Sequence, residues 1–271
     1  MKFDLDTAWK DTRRLWSENR TLLATIAGVF VFIPYAALLI VLPAIAPLPQ
    51  PPADADFDAI VKAFNAFYAE AWWALALVGI TTTLGQLAML ALVERKPGPT
   101  VGGAIGIAGK AILPAWLALL IQSLGINFIS LAIIAVASMT GLAGLAFLAT
   151  VAAFVIAVYL TARLSLVLPV MAAEDLFNPF AALRTSWRRT AGHGGRIFAF
   201  YALVGLGAII LASVIVMILG LILALLGDAA AETGGMIVSA LVVTSMLVVF
   251  TLVLAAVHRQ TARLGRTKGS E

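Results

Sequence analysis

Six stretches of the chain are apolar for roughly 18 or more residues without a polar face, the length and texture of a membrane-spanning helix. They cover residues 21–46, 71–93, 111–136, 141–165, 197–226 and 235–257. The third and fourth are separated only by residues 138–141. As one helix, 111–165 would run for about 80 Å at about 1.5 Å per residue, far beyond a hydrocarbon core of about 30 Å. A tight hairpin is therefore expected there. The pattern predicts an all-α polytopic membrane protein, a single integral membrane domain over 1–271 with its six spans arranged as three hairpins.

Composition agrees with this pattern. Of 271 residues, 62% are hydrophobic and 12% charged, whereas soluble domains run near half apolar and a quarter charged. With no cysteine, disulfides, cysteine-bound zinc and thiol nucleophiles are excluded. The first apolar run is too long for a signal peptide and follows four acids (Asp4, Asp6, Asp11 and Glu18), so it reads as an uncleaved anchor.

Charge orients the spans. The N-terminal segment, the 94–110 and 163–196 loops and the C-terminal tail hold 17 of the 18 Lys and Arg residues. The opposite side has Lys62 alone, with Asp54, Asp56, Asp58, Glu70, Asp228 and Glu232. A positive-inside distribution of this kind predicts a multi-pass protein of the cytoplasmic (inner) membrane, with both termini in the cytoplasm.

A short segment precedes each pair of spans on that side. In 6–20, Trp9 and Trp16 share a helical face with Leu5, and Lys10, Arg13 and Arg14 supply charge. The second segment, 100–110, follows Pro97-Gly98-Pro99 and is much less polar. In the third, 178–190, Asn178 is a good N-cap and Pro179 suits the first helical position. Phe180, Leu183 and Trp187 then fall on one face, with Arg184, Arg188 and Arg189 to its flank and rear. An interfacial helix is expected, with rings towards the acyl chains and guanidiniums among headgroups; the competing reading is a solvated loop that only enforces topology.

The stretch ARLSLVLPVMAAEDLFNPFAALRTSWRRTAGHGGRIFAFYAL resembles the central signature of a bacterial six-span membrane-protein superfamily. That superfamily includes the membrane domain of glycerophosphoryl diester phosphodiesterase. The resemblance rests on Arg163, Pro169, Glu174, Ala182-Leu183, Ser186-Trp187 and Gly192. In the phosphodiesterase members a soluble catalytic barrel follows the membrane part. Here only HRQTARLGRTKGSE follows the sixth run, so no catalytic residue carries over and a non-enzymatic role is expected.

Other chemistry is sparse. The chain lacks the metal-binding, hydrolase, P-loop and dinucleotide motifs, and no cofactor or metal is expected. The run GGAIGIAG (102–109) lacks the strand and Lys-Ser ending of a nucleotide loop and reads as small-residue helix packing. Basic residues close to the membrane, without a soluble domain, also argue against nucleic acid as a partner.

Polar residues within the spans are costly in hydrocarbon and therefore informative. Thr81, Thr82, Thr83 and Gln86, with Gln122 and Asn127, either line a polar path, or hydrogen-bond between helices or cap a helix end. Arg163, at a span edge, cannot deprotonate and needs an acid. Glu174 and Asp175 are its expected partners in a structural ion pair, with a substrate site as the rival reading. At TAGHGGRIF, exposed N–H groups beside Arg196 suit an anion such as a lipid phosphate, unless the turn is a plain hinge.

Taken together, these residues suggest a basic, lipid-contacting cytoplasmic face. Arg184, Trp187, Arg188, Arg189, His193 and Arg196 are its candidate ligands for anionic phospholipid, in a lipid-related or membrane-organising role. The alternatives are a small-solute or lipid transporter using the polar path, and an assembly subunit whose protein partner the sequence does not identify.

Overall fold

The computed structural model describes residues 3–50, 56–95 and 98–268. Lys2, Asp54, Lys96 and Pro97 lie outside the described residues, as do the side chains of Arg266 and Lys268. Within them the chain is helical: α1 (Leu5–Ala27), a π-helical turn (Gly28–Phe32), α2 (Ile33–Ile45), α3 (Phe57–Glu94), α4 (Val101–Ser138), α5 (Ala143–Leu164), α6 (Val167–Glu174), α7 (Pro179–Arg189), α8 (Gly194–Leu225) and α9 (Asp228–Lys268). Six helical segments among the described residues are long and apolar enough to cross a membrane.

Side-chain caps explain where several helices start. Asp4 Oδ1 accepts from the Asp6 and Thr7 N–H groups at 2.8 and 3.2 Å, and Asp56 Oδ1 accepts from Ala59 N at 2.8 Å. Thr100 Oγ1 accepts from Gly103 N at 3.2 Å, and Asn178 Oδ1 from Ala181 N at 3.1 Å. Each satisfies an N–H group that the first helical turn leaves without an intrahelical acceptor.

Of the three short segments, the helix expected at 6–20 and the segment 100–110 are not separate elements. Residues 6–20 are the first part of α1, and 100–110 lead directly into the span of α4. Arg20-Thr21 carries no helix breaker, and α4 runs unbroken through Gly109 and Pro114. The third is a helix of its own, α7, because Gly192 takes a φ of +77° and turns the chain before α8. Several helices also outrun the apolar stretches: α3 begins at Phe57, behind the Asp56 cap, and α9 at Asp228.

Inside the first segment, the Ile33 N–H reaches back to the Gly28 carbonyl. Pro34 has no N–H to offer, and a π-turn is a known way for a helix to absorb such a gap.

The residues group into two compact units, with boundaries that fall inside helices rather than in loops. One comprises Met1–Arg20, Leu87–Gly207 and Val249–Glu271; the other comprises Thr21–Gln86 and Ala208–Val248. In the first, a core joins Phe3 and Ala8 to Leu166 and Val170, Ile197 and Phe200, and Val253 and Val257. The α4–α5 pair packs around a turn at Met139 to Leu142, as the hairpin argument requires.

Along α4, Ala104, Ala108, Ala111, Ala115 and Ala118 are buried at alternating four- and three-residue steps. Small side chains on one face allow close approach of neighbouring helices. The glycines of GGAIGIAG do not do this: Gly102, Gly106 and Gly109 face open space. In the second unit, Leu42, Ala46 and Ala71 form a smaller core, and Gly85 sits where a Cβ would lie 2.8 Å from Phe30 Cβ.

Candidate functional site

The first unit carries nearly all of the charged chemistry, beginning at the break between α5 and α6. Pro169 cannot donate to the Ser165 carbonyl, and its ring crowds that position, so the helix stops four residues earlier. The break leaves the Arg163 carbonyl and the Leu166 N–H without helical partners. Side chains of α7 satisfy both groups. Ser186 Oγ accepts from Leu166 N at 3.1 Å and donates to Arg163 O at 3.0 Å. Thr190 Oγ1 also lies 3.0 Å from Arg163 O.

The Arg163 side chain completes this joint. Its Nε donates to Thr190 Oγ1 at 2.8 Å, one Nη donates to Trp187 O at 2.9 Å, and the other donates to Tyr159 Oη at 3.3 Å. The guanidinium stacks 4.0 Å from the centre of the Trp187 ring. Gly194 leaves room for it, since a Cβ there would meet Arg163 Cδ at 2.7 Å.

The expected pairing of Arg163 with Glu174 or Asp175 does not form. Eight-residue α6 carries both acids away from the break, and other cations take them. Asp175 receives a two-pronged contact from Arg95 at 2.6 and 3.1 Å, while Arg95 Nε donates to Ala172 O at 2.8 Å. Asp175 itself sits at φ 53°, a conformation that aspartate tolerates better than most residues. Glu174 Oε1 lies 2.5 Å from Arg189 Nη1 and 3.1 Å from His258 Nε2.

A recurring device emerges from these contacts. Arg95 donates to a last-turn carbonyl of α6, Arg163 to one of α7, and Arg259 to Val93 O in the last turn of α3. A cation at a helix C-terminus satisfies a free carbonyl and complements the helix dipole. These three arginines, which read as surface charge in the sequence, serve as C-caps on neighbouring helices.

His258 is at the centre of a buried ionic network. Its Nδ1 is 3.0 Å from Glu94 Oε2, and Arg189 Nη1 is 2.6 Å from its Nε2. With Nδ1–H donated to Glu94, Nε2 either donates to Glu174 or accepts from Arg189, so the ring has two hydrogen-bonding arrangements. Arg259 Nε lies 3.5 Å from Glu94 Oε1, an oxygen with no hydrogen bond. Next to this network is an open cleft of about 400 Å³, lined by Arg14, Glu94, Glu174, His258, Arg259 and Arg263 together with two alanines. Charged groups packed this densely can bind an ion or a polar headgroup.

The expected lipid ligands separate by environment. Ala182 and Ser186 of α7 and its C-cap Thr190 are buried, whereas Phe180 (67% exposed), Arg184 and Arg188 face outward and Trp187 (43%) is exposed beside the Arg163 stack. The guanidiniums of Arg184 and Arg188 make no ion pair or hydrogen bond among the described residues. Arg189 is on the opposite side, in the network, and so is not part of an outward cradle. Arg196 donates to Phe3 O at 3.0 Å, and half-buried His193 donates its backbone N–H to Thr190 O at 3.1 Å.

The polar-path residues fall in both units. Thr81 and Thr83 return their hydroxyls to the Val78 and Gly79 carbonyls of their own helix, at 3.0 and 2.8 Å. Thr82 and Gln86 are half-buried beside them. Asn127 donates to Ser123 O at 2.9 Å, and Gln122 keeps a buried Oε1 without a hydrogen bond.

Sequence reasoning missed Glu94, Arg95, Arg259, Arg263, Arg14 and Asp11. A signal for the first of these was present. Glu94-Arg95, Glu174-Asp175 and His258-Arg259 all stand near the ends of even-numbered spans, and alternate crossings bring those ends to one membrane surface.

A family model, the membrane domain of glycerophosphoryl diester phosphodiesterase, matches residues 127–262. The match runs from the middle of α4 into α9 and includes the α5–α6–α7 joint. Neither the comparison with curated proteins nor that with solved structures gives a match.

Proposed function

This chain belongs to the family of membrane domains of glycerophosphoryl diester phosphodiesterase, and from that premise we propose a non-enzymatic inner-membrane protein whose basic cytoplasmic face holds anionic phospholipid. The supporting observation is the outward side of α7. Phe180 is exposed on the side away from the protein, Trp187 is exposed at its flank beyond the face that Arg163 stacks on, and the Arg184 and Arg188 guanidiniums beside them have no partner among the described residues. Rings at the acyl boundary and cations at headgroup level are how an in-plane helix binds a membrane. The site thus consists of Arg184 and Arg188, positioned by Trp187; Arg189 holds the helix to the protein from behind.

The test is lipid retention by the purified full-length protein in native mass spectrometry at low salt. A juxtamembrane basic residue contributes about 1 kcal/mol beside an anionic surface, so two contribute about 2 kcal/mol. Arg184→Gln/Arg188→Gln should retain severalfold less phosphatidylglycerol than wild type, and raising salt should narrow the difference. Equal retention by the two proteins would sink the proposal.

A further inference from the structure

The cleft beside the ionic network has unused hydrogen-bonding capacity of both signs. Arg263 approaches Asp11 Oδ2 at only 3.8 Å, and Arg14 reaches Asp11 and Glu18 at 3.3 and 3.8 Å. These are looser than a good hydrogen bond, which spans about 2.7–3.2 Å. Both guanidiniums are more than half exposed and keep most of their five N–H donors free. The carboxylates are also incompletely used. Both contacts of Glu174 fall on Oε1, leaving Oε2 for a donor. Glu94 is 4% exposed, lines the cleft, and has a buried Oε1 with no hydrogen bond at all. A buried carboxylate oxygen in that condition is costly, and in a ligand-sized recess it calls for a donor.

A simple anion would satisfy the arginines and face the glutamates unfavourably. A simple cation would do the reverse. Among the described residues no group of His, Asp and Glu is arranged to hold a metal ion. The complementary ligand carries an anion and a donor cation together. Phosphate is the anion that suits several convergent guanidiniums. The cleft also lies where the apolar segments ending at Glu94 and Leu264 run out, the level of phospholipid headgroups.

We propose that this cleft binds a phosphate ester bearing an ammonium group, of the phosphoethanolamine class, either free or as a phospholipid headgroup. Arg14, Arg259 and Arg263 take the phosphate, and Glu174 Oε2 and Glu94 take the ammonium. The site is distinct from the outward face of α7, so each stands or falls alone.

Calorimetric titration of the full-length protein in detergent tests this with phosphoethanolamine, inorganic phosphate and ethanolamine as probes. Phosphoethanolamine should bind at least tenfold more tightly than either fragment. Arg14→Gln/Arg263→Gln, at two exposed positions, should weaken it at least tenfold while thermal stability without ligand is retained. Arg184→Gln/Arg188→Gln should leave that affinity unchanged. Native mass spectrometry with phosphatidylethanolamine then identifies the source: binding of the lipid but not the free compound assigns a headgroup site, and binding of the free compound assigns a soluble ligand. The proposal is overturned if neither form binds, if phosphate alone binds as tightly, or if the Arg14/Arg263 variant binds like wild type.

Discussion

The guanidinium of Arg163 lies 4.0 Å from the centre of the Trp187 ring while donating to the Trp187 carbonyl at 2.9 Å, so one side chain both stacks on α7 and caps it. Arg163→Leu removes a cation–π contact of about 1 kcal/mol and takes the guanidinium donor away from the Trp187 carbonyl in the last turn of α7. The expected loss is about 2–3 kcal/mol, seen as a lower thermal midpoint in detergent. Arg163→Lys should recover little of it, because an ammonium cannot fork between Thr190 and Trp187. Full rescue by lysine would show that charge alone matters there.

Ser186 ties the α5–α6 break to α7 through one hydroxyl. Ser186→Ala strands the Leu166 N–H and removes a donor from Arg163 O, with an expected cost of about 1–3 kcal/mol. Hydrogen exchange should accelerate at Leu166 more than at the amides of α6. Unchanged protection at that amide would remove Ser186 from the joint.

The Glu94–His258 pair is buried on both sides, and removing either partner leaves the other's groups unsatisfied. His258→Ala should cost on the order of 3 kcal/mol. A double-mutant cycle of Glu94→Gln with His258→Gln should show coupling above about 0.5 kcal/mol. Additive losses would mean that the two side chains do not depend on each other.

Gly85 of the second unit leaves little room for added volume. Gly85→Ala places a methyl 2.8 Å from Phe30 Cβ, an atom with little freedom to move aside. Overpacking of this kind costs about 1–3 kcal/mol. Gly102→Ala, in open space, serves as the control and should be nearly neutral. Equal midpoints for the two variants would dismiss the contact.

Topology is testable independently of stability. Reporter fusions after Met139 and Glu232 should report the outer side of the membrane, and fusions after Arg189 and Glu271 the cytoplasm. An external signal at Arg189 would reverse the charge argument and with it the side on which lipid is held.

Periodicity and length are local properties of the chain, and they sufficed for six spans, for the α4–α5 turn and for the Asn178 cap that starts α7. Hydrocarbon leaves a backbone so few options that long apolar runs become helices whatever their neighbours are. Partner choice is not local in this way. The sequence places Arg163 next to Glu174 and Asp175, yet Pro169 ends α5 early, and Arg163 caps α7 while Arg95 and Arg189 take the acids. Likewise the arginines of α7 look equivalent along the chain. Packing of Ala182 and Ser186 against the protein turns Arg189 inward to Glu174 and leaves Arg184 and Arg188 facing out. Which guanidinium serves as a cap, which joins a buried network and which stays available is decided by helices far apart in sequence, because each needs a carbonyl or carboxylate that only tertiary packing brings within reach.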